Sequence, residues 1–98
     1  MITVKLYGRI REYLGREEVN VSKEVQTVGE LVDELNAMSG NRLNGFFFDP
    51  GTREIRPSFV MLVNGHSIRL MKGLETKLSS DNDVVIDNID IMETVGGG

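Results

Sequence analysis

Only one segment of this 98-residue chain sustains an apolar period of 3.6, and the stretches on either side of it alternate like strands. From Val28 to Met38, the residues Val28, Leu31, Val32, Leu35 and Met38 fall on one helical face, a stripe wide enough to cover a sheet. Thr27-Val28-Gly29-Glu30 ahead of it has capping-box spacing, in which each polar side chain satisfies an exposed backbone N–H at a helix start. Gly40 stops the helix. A single amphipathic helix can bury its stripe only against the chain's own strands. The expected fold is therefore α+β, a roll in which one main helix packs on a mixed sheet of four or five strands.

The remaining segments fit that plan. Met1 to Tyr7 alternates, with Ile2, Val4 and Leu6 on one face, and Gly8 breaks it. Arg9 to Leu14 reads as a short helical turn ending at Gly15, and Glu17 to Val21, with Val19 and Val21 inward, as the hairpin partner of the first strand. Asn41 to Ser58 holds Pro50, Pro57, Gly45, Gly51 and an Asp-Pro-Gly turn signal. It also holds Phe46, Phe47 and Phe48, so it is expected to be a structured excursion pinned by at least one phenylalanine. Phe59 to Val63 is an apolar strand, and Asn64-Gly65 is a tight-turn dipeptide that returns the chain through Ser67 to Leu70. Leu74 and Leu78 read as one helical turn, and 79–83 as a polar turn. Val84-Val85-Ile86 opens the last strand, whose apolar parity shifts by Ile89 and Ile91, so a bulge is expected at Asp87-Asn88. Met38 and Met61 are expected in the core. If the last strand lies beside the first, both central, the chain leaves from the sheet's end. From Met92 to Gly98 it could then span about 20 Å at ~3.3 Å per residue.

Charge and cysteine content restrict function. A net charge of −4 argues against a nucleic-acid partner, which needs a basic face, and suits docking on a basic protein surface. With no cysteine there is no disulfide framework, thiolate metal site or cysteine nucleophile, which fits a reducing, cytoplasmic setting. The sequence shows neither a secretory leader nor an apolar run long enough to span a membrane. Asp81, Asp83, Asp87, Asp90 and Glu93 are an acidic run. A calcium loop starting at Asp81 would put Ile86 at the tight-turn glycine and Met92 at the bidentate glutamate, so that reading fails. The only histidine, His66, follows a turn and completes neither a triad nor a zinc set. No enzymatic site of the chain's own is expected.

The chain's last three residues are Gly96, Gly97 and Gly98. Glycine loses the most backbone freedom on ordering, so a glycine run after a core strand suits a tail that works by threading into a partner. The division expected is a body over 1–95 and a flexible tail over 96–98.

The order of these pieces resembles the β-grasp sulfur carriers and ubiquitin-like modifiers, notably the small subunit of molybdopterin synthase and the archaeal small modifier proteins. The likeness is carried by Thr3-Val4-Lys5-Leu6-Tyr7-Gly8-Arg9-Ile10-Arg11-Glu12, the Thr27 to Leu31 helix start, Val63-Asn64-Gly65, Asp81-Asn82-Asp83 and the terminal glycines. It implies a β-grasp roll that binds no cofactor and is a co-substrate rather than an enzyme. An ATP-dependent adenylyltransferase like those that activate ubiquitin would adenylate Gly98, with Gly97 beside it. The product would become a thiocarboxylate sulfur donor, as in molybdenum cofactor biosynthesis, or form an isopeptide bond to a target-protein lysine. Lys5, Lys23, Lys72 and Lys77 are possible acceptors within the chain. Implied partner contacts are an apolar patch on the sheet face opposite the helix, with Tyr7 and Ile68 as candidates, and Val95 and Gly96 in the tail. Where the sulfur carriers place a Pro-Pro pair before Gly-Gly, this chain reads Asp87 to Val95 and then three glycines. That departure bears on docking to a molybdopterin synthase large subunit more than on lysine conjugation. The alternative reading is a noncatalytic β-grasp interaction module with an idle tail.

Overall fold

The computed structural model describes residues 2–22, 24–49, 51, 54–78 and 88–94. Strand β1 (Ile2–Leu6) turns at Gly8 into helix α1 (Arg9–Leu14) and returns as β2 (Glu18–Val21). Helix α2 (Val28–Met38) follows, then the aromatic excursion, β3 (Phe59–Val63), β4 (His66–Ser67), two 3-10 turns at Ile68–Leu70 and Gly73–Glu75, and β5 (Asn88–Glu93). The sheet order is β2-β1-β5-β3-β4. β5 runs parallel to β1 and antiparallel to β3, while β2 and β4 are antiparallel to their neighbours. The expected mixed roll is present with five strands, and the last strand lies beside the first at the centre.

Alternation decides the layers. Ile2, Val4 and Leu6 of β1, Phe59, Met61 and Val63 of β3, and Ile89 and Ile91 of β5 all point to one buried side. Val28, Leu31, Val32 and Leu35 of α2 are buried in the same core. Thr27 caps α2, its hydroxyl accepting from the Glu30 N–H at 3.2 Å. The reciprocal Glu30 carboxylate accepts from the Gln26 N–H at 3.2 Å, one residue before the expected partner. The Val28 N–H, which has no acceptor within the helix, donates to the Thr76 carbonyl at 2.9 Å.

All three excursion phenylalanines are buried, more than the sequence requires. Phe46 and Phe47 meet Phe59 at ring-centroid distances of 5.3 and 4.9 Å, and Tyr13 stacks on Phe46 at 4.0 Å. Arg56 ties the loop's backbone, its side chain donating to the Gly45 and Phe48 carbonyls at 2.8 and 3.3 Å.

Four expectations change. Met38 is 51% exposed rather than core, because α2 ends there and its last turn overhangs the sheet. The strand after Asn64-Gly65 lasts only two residues before tightening into a 3-10 turn, capped by the Ser67 hydroxyl accepting from the Arg69 N–H. Leu78 is not part of a helical turn with Leu74; its N–H donates to the Gln26 carbonyl at 2.8 Å, beside the Thr27–Lys77 bridge. Met92 and Glu93 belong to β5, so the length free to reach a partner starts after them. The polar turn at 79–83, the opening of the last strand at Val84, and Asp87 lie outside the described residues.

Phe47→Ala should cost about 3–5 kcal/mol, the range for emptying a buried aromatic site. Met38→Ala should stay within ~0.5 kcal/mol, as for surface changes generally. Chemical denaturation of the two variants checks both; equal losses would refute this assignment of core and surface.

Candidate docking face and tail root

The side of the sheet away from α2 carries the alternate residues. β1 presents Thr3 and Lys5, and β2 presents Glu18 and Asn20. β5 presents Asn88, Asp90 and Met92, and β3 presents Val60 and Leu62. Register sets Lys5 between Glu18 and Asp90, Leu62 beside Asp90, and Val60 beside Met92. The face thus has a half-buried apolar strip, Val60, Leu62 and Met92, bordered by charges.

Tyr7 follows β1 at the rim of this face and is 43% exposed. Its hydroxyl donates to the Asp90 carboxylate at 3.1 Å. That bond, with some loss of solvent and the nearby negative charge, holds the phenol above its usual range. Ile68 is a correction. Only 3% exposed, it faces the core, because the 3-10 turn folds its side chain under β3. The apolar outward residues are instead Val60, Leu62 and Met92. The signal for Val60 and Leu62 was present in Phe59 to Val63, but that run is apolar throughout and its parity is not visible without the neighbouring strands.

The chain leaves the sheet beside this face. On the β1 side the ladder ends where the Tyr7 N–H donates to the Ile91 carbonyl at 3.0 Å. β1 can go no further, because Gly8 adopts φ 71°, ψ −141°, a combination that L side chains avoid. On the β3 side the ladder continues through Phe59–Glu93, and Thr94 donates its N–H to the Ser58 carbonyl at 2.7 Å and its hydroxyl to the same oxygen at 3.1 Å. Arg9, placed by the Gly8 turn, fills the side that β1 vacates. Its Nε donates to Glu93 Oε1 at 2.8 Å and its Nη2 donates to Oε2, while its guanidinium lies 5.1 Å over the Phe46 ring. These bonds hold the Glu93 carboxyl below the usual carboxylate range, aided by the charges of Arg9 and Arg56 and opposed by desolvation.

Val95, Gly96, Gly97 and Gly98 lie outside the described residues. Covalent geometry limits these four residues to about 13 Å of reach. Among the described residues no cluster of three or more His, Cys, Asp or Glu side chains could hold a metal, and no helix is long and apolar enough to cross a membrane.

Comparison with known proteins agrees with this arrangement. The model of the ThiS family matches residues 4–98. A protein of Archaeoglobus fulgidus, named as a candidate sulfur carrier, is 29% identical over 90 residues, covering 92% of this chain and 94% of its own. The solution structure of small archaeal modifier protein 1 from Methanosarcina acetivorans is 29% identical, with a TM-score of 0.78 over 99% of this chain and 95% of that one. The Amycolatopsis orientalis BexX/CysO complex contains a chain with a TM-score of 0.76 at 20% identity, covering 100% of both; it shows the shared fold.

A carboxyl group with a lower pKa in the folded than in the unfolded chain stabilises the fold above its unfolded pKa, and that contribution is lost as pH falls through the folded value. Glu93 should therefore titrate below the ordinary carboxylate range in a carbon-13 NMR experiment, and Arg9→Met should move its midpoint up into that range. An unmoved midpoint would mean that the pair does not form in solution.

Proposed function

The chain belongs to the ThiS family of β-grasp sulfur carriers and small modifiers, and from that premise we propose that its working group is the carboxylate of Gly98. The observation that carries the reading is the seat of β5. The last strand is bonded on both sides as far as Ile91 and on the β3 side as far as Thr94, and a short run ending in three glycines follows in the sequence.

The chemistry suits that end group. An α-carboxyl with a pKa of roughly 3.3–3.7 is ionised at neutral pH. Its oxygen attacks the α-phosphate of ATP on an activating enzyme, forming an acyl-adenylate and releasing pyrophosphate. The activated carbonyl then accepts a sulfur nucleophile or a lysine amine, and AMP leaves with the bonding pair. Glycine, lacking a Cβ, keeps that carbonyl open and lets the end enter a narrow channel. Either product, a thiocarboxylate or an isopeptide bond, is reached through one intermediate. The partner's catalytic groups do the work, and this chain supplies docking and the end group. The strip of Val60, Leu62 and Met92 with Tyr7 at its rim is the surface on which the adenylyltransferase docks. A large subunit of the molybdopterin synthase kind would approach the same face.

Incubation with the cognate activating enzyme and ATP should yield either the mass gain of one oxygen replaced by sulfur or adducts on protein lysines. Removing Gly97 and Gly98 should abolish both and leave the thermal unfolding midpoint unchanged. Retention of the cellular role after that truncation would mean an interaction module with an idle tail. Leu62→Glu, in the docking strip, should weaken binding to the enzyme by at least about tenfold, as for a charge placed in an apolar contact.

A further inference from the structure

We propose that the 3-10 turn at Ile68–Leu70 and the hollow beside it form a self-complementary contact, through which two copies of this chain pair about a two-fold axis. The proposal is independent of the use of Gly98. Two features of one surface carry it. The first is a hollow of about 290 Å³ between β3, the two 3-10 turns and the end of the aromatic excursion. It is lined by the buried Phe59, Met61 and Ile68 and by the half-buried Ile55 and Leu74. The second is a knob on its rim. Leu70 is 88% exposed and Met71, beside it, 45%; no other large apolar residue among those described exceeds 51%.

The knob is held in place. Successive residues of a 3-10 turn are rotated by roughly 120°, so the turn that buries Ile68 sends Leu70 outward. Behind it the Met71 N–H donates to the Ile68 carbonyl at 3.0 Å, and the Lys72 N–H to the hydroxyl of the buried Thr76 at 3.1 Å. Arg69, on the rim, donates from Nη2 to the Arg56 carbonyl at 3.2 Å, which ties the turn to the segment that carries Ile55.

A second copy is the occupant that satisfies both features. The hollow is smaller than the about 300–1,000 Å³ of small-molecule sites and suits one or two apolar side chains. An unrelated apolar partner would fill it and leave Leu70 in water. Two copies related by a two-fold axis set each Leu70 over the other's hollow, since such a contact pairs residue i with j and j with i. The flexible Met71 side chain adapts to the space left. Charge permits the approach. At a net −4 two copies repel in most orientations, but this patch carries Arg69 and Lys72 against Glu54 and Glu75, two charges of each sign. Val60, Leu62 and Met92 do not line the hollow, so the pair leaves the open sheet face free. The contact is small by the standard of specific interfaces, and the dimer is accordingly weak.

Sedimentation equilibrium of the full chain from about 10 µM to 2 mM tests this, with half-association expected at about 0.1–1 mM. The weight-average mass should rise from 10.9 kDa toward twice that value. Leu70→Glu should raise the dissociation constant at least about tenfold and leave the thermal unfolding midpoint unchanged. Leu62→Glu, on the other face, should leave the dissociation constant unchanged. In a mixture of carbon-13-labelled and unlabelled copies, filtered NOE spectra should join the Leu70 methyls of one copy to Met61, Ile68 or Leu74 methyls of the other. A monomer at every concentration, or a dimer that Leu70→Glu leaves intact, would overturn the proposal. Growth beyond two copies would overturn the two-fold arrangement, because knob and hollow would then join head to tail. Loss of the dimer in Leu70→Glu without those NOEs in the unaltered chain would overturn the hollow as the seat of Leu70.

Discussion

The insertion of β5 between β1 and β3 is the constraint on which the rest of the site depends. Ile89 and Ile91 have no solvent exposure, and each is flanked on both sides, by Val4 and Leu6 in parallel and by Val63 and Met61 in antiparallel pairing. The central strand of the sheet is thus made of some of the last residues of the chain. Such pairing is non-local, joining residues more than 80 positions apart (Thr3 with Asn88, Leu6 with Ile91). The outcome is geometric: the segment that precedes the terminal glycines is the most completely embedded strand, and it ends at the sheet's rim.

The same strand distributes the functional side chains. Its inward residues hold the core, its outward Asp90 and Met92 help to form the open face, and Glu93 meets Arg9 at the end. The core, the open face and the Arg9 pair are therefore continuous through one strand. The Phe46–Phe59 cluster extends this continuity to α1, because Tyr13 and Arg9 both rest on Phe46. The irregular segment between α2 and β3 is a wedge on which α1 rests beside the end of β5. Arg56, bonded to three carbonyls or amides of that segment, keeps the wedge closed.

Local features were readable from the residues in order. The α2 boundaries follow from an apolar period and a capping threonine, and the Asn64-Gly65 turn from backbone preference: Asn64 takes φ 50° and Gly65 φ 86°. The short α1 follows from Gly15, which closes it in the left-handed conformation. Burial was less legible wherever it depended on a neighbour distant in sequence. Met38 sits on the apolar stripe, yet nothing covers its turn. Ile68 looks like the next residue of an outward strand, yet the chain tightens there and turns it inward. In Phe59 to Val63 every residue is apolar, so its outward face becomes visible only beside β5.

The sequence by itself determined most of the elements, their order and the roll they build, because each rests on spacings of one to four residues and on intrinsic backbone preference. Only the tertiary structure decided which apolar residues face outward and how the departing strand is held. Arg9 and Glu93 are separated by 84 positions, and Thr94 and Ser58 by 36. Contacts across such separations are set by sheet register and by where β1 turns away, which no local pattern of side chains encodes.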